Sequence, residues 1–281
     1  ATNATTPIAE AAMVAALASG VDVPRARLVL ATAQAHDGRA DWEPSFRRAM
    51  EEAARAGDAE TECAAAYYLA SHLGFAGRAR EAIAVLEEGI VRAAALGLGT
   101  WRTHMEAAIL TDLFIVGTPA SELIERAREF VDRHPLFRNR AQIDLVLALS
   151  LGDVGRHDEA RAFVDTSLAE RQGPDDRSIL LTVASELAWL RADLHGAVDV
   201  AAQALALGPG WFGITAGAAC AAALARFELD ERDVPPPPPI PKTPFFALHG
   251  RLAGALHRWS EGDDRAALDA LDALVPVWAA S

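Results

Sequence analysis

LASHLGFAGRAREAIAVLEEG, Leu69 to Gly89, sets one glycine, Gly77, between an apolar run and an amphipathic one. The second run keeps a helical period, with Ala82, Val85, Leu86 and Gly89 on one face and Glu87 and Glu88 between them. A helix that stops at a residue tolerant of left-handed backbone, followed at once by a polar helix start, spells a helical hairpin.

Gly77 belongs to a series. Breaks fall at Gly38, Gly77, Gly117, Gly155 and the Ala192–Asp193 corner, spaced 39, 40, 38 and 37 residues apart. A second series, Gly57, Gly97, Pro135, Pro174 and Pro209, lies between them. Each unit of nearly forty residues therefore holds two helices, one tight turn and one looser turn, the pattern of an α-solenoid. Five residues after the tight turns stand Ala82, Ala160, Ala197 and Ala267, and seven before stand Ala70, Ala148, Ser185 and Ala255. Small residues at paired offsets let two antiparallel helices approach closely. The fold expected is all-α, an α-solenoid of about six to seven antiparallel helix pairs with no strand. Its expected parts are a repeat array with an N-terminal helix over 1–229, a proline-rich connector over 230–244, and a hairpin over 245–281 packed on the array.

These offsets resemble the tetratricopeptide repeat, with small residues at two fixed positions and a large apolar one four further on. The hairpin at Gly77 supplies Ala70, Ala82 and Leu86, that at Gly155 supplies Ala148, Ala160 and Val164, and that at Ala192 supplies Ser185, Ala197, Ala201 and Pro209. The sequence departs from the pattern at Gly38 and Gly117, where Glu43 and Glu122 replace the alanine. The longer period is similar to the helical-repeat region of large ATP-binding LuxR-type (MalT-like) transcription regulators. The segments EEAARAGDAETECAAAYYLA and VRAAALGLGTWRTHMEAAIL carry that resemblance, which spans about residues 24–279. It implies a bacterial sensor region that recognises an inducer or a protein partner. The neighbouring modules of that family are not in this sequence: its one lysine, Lys242, sits in Pro-Lys-Thr-Pro and not in a phosphate-binding loop, and no basic recognition helix follows the last hairpin.

A formal net charge of -13 repels a phosphate backbone, so direct nucleic-acid binding is not expected. Cys63 and Cys220 sit in alanine-rich apolar runs and read as buried structural thiols in a reducing, cytoplasmic setting. The N-terminal stretch lacks the charged leader of a signal peptide. The uncharged span from Val200 to Ala225 is cut by Gly208-Pro209-Gly210, so it reads as a turn and a buried helix and not as a membrane span. The run Pro235 to Pro239 must leave the helix and extend; it reads as a stiff spacer between the array and its last hairpin, with a docking strip for an aromatic groove as the alternative, and Phe245 and Phe246 anchor the returning chain.

No catalytic signature appears. The eight histidines are scattered without metal-ligand spacing, and Asp175-Asp176 and Asp263-Asp264 read as helix-opening carboxylates. The expectation is a non-enzymatic domain without cofactor or metal. It binds a protein segment or a small inducer in the groove lined by the first helix of each pair, with a homodimer possible through Val277 and Trp278. A free-standing scaffold for protein partners and a helical enzyme with a groove pocket are the alternatives. The repeat register places Tyr67, Ser71, His104, Thr111, Phe114, Gln142, Glu186 and Trp189 along the groove, aromatic faces mixed with hydrogen-bonding tips. Trp211 and Phe212 make a second aromatic candidate at a turn.

Overall fold

The structure is a computed structural model that describes residues 5–171, 173–208, 210, 213–239 and 244–280. Its described residues form fourteen helices and no strand, an all-α succession of antiparallel hairpins. Contacts divide the chain into two compact units, Ala1–Val116 and Gly117–Ser281.

The first unit holds α1 (Thr5–Ser19), α2 (Val23–His36), α3 (Trp42–Ala56), α4 (Ala59–Phe75), α5 (Ala79–Ala95) and α6 (Gly99–Ile115). Each helix packs on the next, and α4 also packs on α2 and α6, so the even-numbered helices form one layer and α3 and α5 the other. Phe46, Leu69, Leu73, Leu86 and Met105 fill the space between the layers. The second unit holds α7 (Ala120–Arg133), α8 (Ala141–Asp153), α9 (His157–Glu170), α10 (Pro174–Leu190), α11 (Leu194–Ala206), α12 (Thr215–Glu228), α13 (Pro244–Ser260) and α14 (Asp264–Ala280). Here α8, α10 and α12 form the continuous layer, with α9 and α11 packed behind it.

The turns lie where the breakers stand. Gly77 has φ of 82°, and Gly38, Gly117, Gly155 and Gly262 share its left-handed backbone, which an L side chain adopts only at a cost. Ala192 takes the same conformation at φ 59° without a glycine's freedom. After Gly77, the Arg78 amide donates to the Leu73 carbonyl and the Gly77 amide to that of Gly74, satisfying carbonyls that the helix end leaves open. Asp58, Asp193 and Asp263 cap the helices that follow them, each accepting from the amide three residues on.

All eight small residues read from the turn offsets are buried, from Ala70 and Ala82 to Ala255 and Ala267. We expect Ala160→Phe, on the completely enclosed face of α9, to cost about 1–3 kcal/mol by overpacking. Urea denaturation measures this, and an unchanged midpoint would contradict the register. The two departures have a geometric reason. Where α5 and α9 begin two residues after their turn glycines, α7 begins three after Gly117, and Leu123 takes the buried place instead of Glu122. Likewise α3 begins four residues after Gly38, and Phe46 is its first buried side chain. Glu43 is thereby free to accept from Arg47 of its own helix and, at 2.5 Å, from Arg78 after the next turn. Those hydrogen bonds, that of Arg78 first, hold its carboxyl below the usual glutamate range.

The helix α12 continues the layer of α8 and α10, and the left-handed turn residue after it, Asp230, stands 38 residues after Ala192. No second helix follows at once. The proline-rich stretch 231–239 runs without helix, and Val234 is buried against Ala253 and Leu256 of α13. The Val234 carbonyl lies 2.7 Å from His257 Nδ1, the Arg232 guanidinium sits 4.2 Å over the Trp259 ring, and its Nη1 donates to the Trp259 carbonyl. Phe246 is buried at the start of α13, while the side chains of Phe245, Val277 and Trp278 lie outside the described residues. Among the described residues no helix is long and apolar enough to cross a membrane, and Thr215–Glu228 is the buried helix that the glycine-proline break implied.

Candidate functional site

In the first unit the register brings Tyr67 on α4 and His104 on α6 together, their rings 6.0 Å apart and nearly perpendicular. Trp101, one turn before His104, joins them at 6.1 Å from Tyr67 and 5.8 Å from His104, and Tyr68 lies 5.3 Å from Tyr67. Four rings from two helices thus make one aromatic face. Tyr67 and Trp101 rest partly on the core cluster of Leu69 and Met105, while Tyr68 is 38% exposed. His104 Nδ1 lies 2.8 Å from the Thr100 carbonyl of its own helix, and the Ser71 hydroxyl donates to the Tyr67 carbonyl. Both are held as positioned polar edges of the patch.

Thr111 and Phe114 lie farther along α6, about 10 Å or more from His104 at the usual helical rise. Among the described residues the buried Thr111 hydroxyl has no hydrogen-bond partner. Beside it Asp112 is 4% exposed and packs against Gly74 of α4, where an added Cβ would lie 2.1 Å from its Oδ1. Burial alone pushes its carboxyl up to about 8, so the group is largely neutral at pH 7. The sequence reading passed over this residue, although it is the one charge in the run from Ala107 to Ile115.

In the second unit, Glu186 and Trp189 sit one turn apart on α10. Glu186 turns its carboxyl onto α12, where a Cβ at Gly217 would lie 2.6 Å from Oε1, so only glycine leaves room. The residue as a whole is half-buried, but its carboxyl is enclosed, and that burial pushes it up to about 7. The Trp189 indole N–H donates to Glu228 Oε1 at 2.7 Å, tying α10 to the end of α12. Gln142 is half-buried on α8 and joins neither residue. Trp211 and Phe212 lie outside the described residues.

Cys63 and Cys220 are buried thiols whose pKa burial raises, that of Cys220 to about 12, which suppresses the thiolate a nucleophile needs. Among the described residues no three His, Cys, Asp or Glu side chains converge as a metal site would require. The aromatic face can instead stack on a ligand and accept a cation over its rings. Compared with known proteins, the chain matches no protein-family model, and no curated protein is significantly similar to it.

Proposed function

We propose that this chain is a non-enzymatic ligand-binding domain of the tetratricopeptide-like kind, which takes up a basic peptide segment on the aromatic face of α4 and α6. The observation that carries this reading is the convergence of Tyr67, Tyr68, Trp101 and His104 from two helices of one layer, with Tyr68 left open to solvent. Aromatic anchors on a helical-repeat layer suit peptide recognition, and a chain of net charge -13 favours a cationic partner. The repeat period supports placing the domain in a cytoplasmic regulator of the LuxR type, where binding changes contacts with neighbouring modules.

Selection from a phage-displayed library of nine-residue peptides tests the site. The expected winners carry Arg or Lys, and their affinity falls about tenfold or more in the Tyr68→Ala/Trp101→Ala double variant with unchanged circular dichroism. Winners without basic residues, or equal binding by the double variant, would refute the proposal.

A further inference from the structure

A cavity of about 160 Å³ lies among α7, α8 and α9 and shares no lining residue with the aromatic face. Its floor is Leu147 and Leu151 of α8, and its walls are Val131 of α7 and Phe163 of α9. The volume is close to the roughly 150 Å³ of an apolar cavity that admits a benzene ring.

The rim is charged. Arg128 of α7 is ion-paired with Glu159 of α9 across the opening, and Glu159 is also held by Arg156. This carboxylate is thus shared by two guanidiniums. Arg140, at the start of α8, is committed through Nε alone, which donates to Asp144 at 3.2 Å. Among the described residues neither of its terminal nitrogens has a hydrogen-bond partner, although three quarters of the side chain is buried. Asp144 in turn is shared with Arg171. Asp132 is the other rim carboxylate, so the groups of the rim and their direct partners comprise four guanidiniums and three carboxylates. A half-buried guanidinium fork with unused donors beside an apolar pocket matches a carboxylate attached to a compact apolar body.

We propose that this cavity is a binding site for a small hydrophobic carboxylate, an aromatic or branched short-chain acid. Its body lies between Val131, Leu147, Leu151 and Phe163, and its carboxylate accepts from the terminal N–H groups of Arg140, with Arg128 adding charge. The site is independent of the peptide reading given above.

Titration of the whole chain with benzoate and with its neutral counterpart benzyl alcohol, followed by amide NMR shifts around Leu147 and Phe163, tests this. Benzoate is expected to bind saturably with a Kd below about 1 mM, and about tenfold or more tighter than the alcohol. Arg140→Lys keeps a cation on Asp144 but removes the fork. It should weaken benzoate about tenfold and leave the alcohol unchanged. Val131→Trp, at a half-buried position, should fill the cavity and abolish both. The proposal fails if benzoate does not saturate, if the two probes bind equally, if Arg140→Lys binds benzoate as the parent does, or if Val131→Trp leaves binding intact.

Discussion

Asp144→Ala should destabilise the second unit by about 3–5 kcal/mol, measured by urea or thermal denaturation. Asp144 is fully buried on α8 and accepts from Arg140 Nε and Arg171 Nε, both at 3.2 Å, with a further hydrogen bond from Ser167. Its cationic partners are themselves largely enclosed, the Arg171 side chain 14% exposed and that of Arg140 25%. Removing the carboxylate leaves two guanidiniums in a poorly solvated place with no anion, and the cost is that of stranded charge more than of lost attraction. Burial outweighs the guanidiniums and raises the Asp144 pKa above its ordinary value, so the assembled group contributes little net stability. The expected asymmetry follows. Asp144→Ala alone is severe, whereas adding Arg171→Leu to it should recover part of the loss. A single variant within about 1 kcal/mol of the parent would show that water reaches these groups freely.

Asp112→Asn should stabilise the protein at neutral pH by about 2–4 kcal/mol and flatten its pH dependence. The carboxyl titrates near 8 in the folded chain, pushed there by burial, but near the ordinary aspartate value once unfolded. The folded state therefore resists ionisation. Below pH 4 both states are protonated and there is no penalty. Between pH 4 and 8 the unfolded chain releases its proton and the folded one does not, so stability falls as pH rises, and above 8 the penalty is constant. Asparagine has the shape of the neutral acid and no proton to release, so its advantage should vanish below about pH 4. Denaturation of both proteins from pH 4 to 9 reads this out, and parallel curves would contradict the burial of Asp112.

The repeat register also explains how Asp112 came to be enclosed. It stands five residues before Gly117, as Leu187 stands five before Ala192, and each faces a glycine three before the previous turn, Gly74 and Gly152. A carboxyl thus occupies a place that apolar packing fills elsewhere. Such a residue reads from the sequence as an ordinary solvated charge, because its burial comes from α4, far off in the chain. Asp144 was hidden for the same reason, since Arg171 lies 27 residues away. The fold was legible because its determinants are local: left-handed turn glycines, capping aspartates and small residues at fixed offsets from them. Of the aromatic face, Tyr67 and His104 followed from the register, but Trp101 and Tyr68 lie beside the positions it selects. Their inclusion depends on side-chain reach, which periodicity does not encode. Glu186 fell on the expected helix, yet its carboxyl turns to Gly217, a choice made by the space that one missing Cβ leaves.

The stretch after α12 gives the last hairpin an unusual attachment. Five consecutive prolines offer no amide hydrogens, so no ladder of backbone hydrogen bonds can transmit fraying across them. Unravelling that begins in α14 or α13 meets a firebreak there, held to α13 by Val234, the His257 contact and the Arg232–Trp259 stack. The strip also has no exchangeable amide at those five positions, so hydrogen exchange would report two protected regions with a silent gap between them.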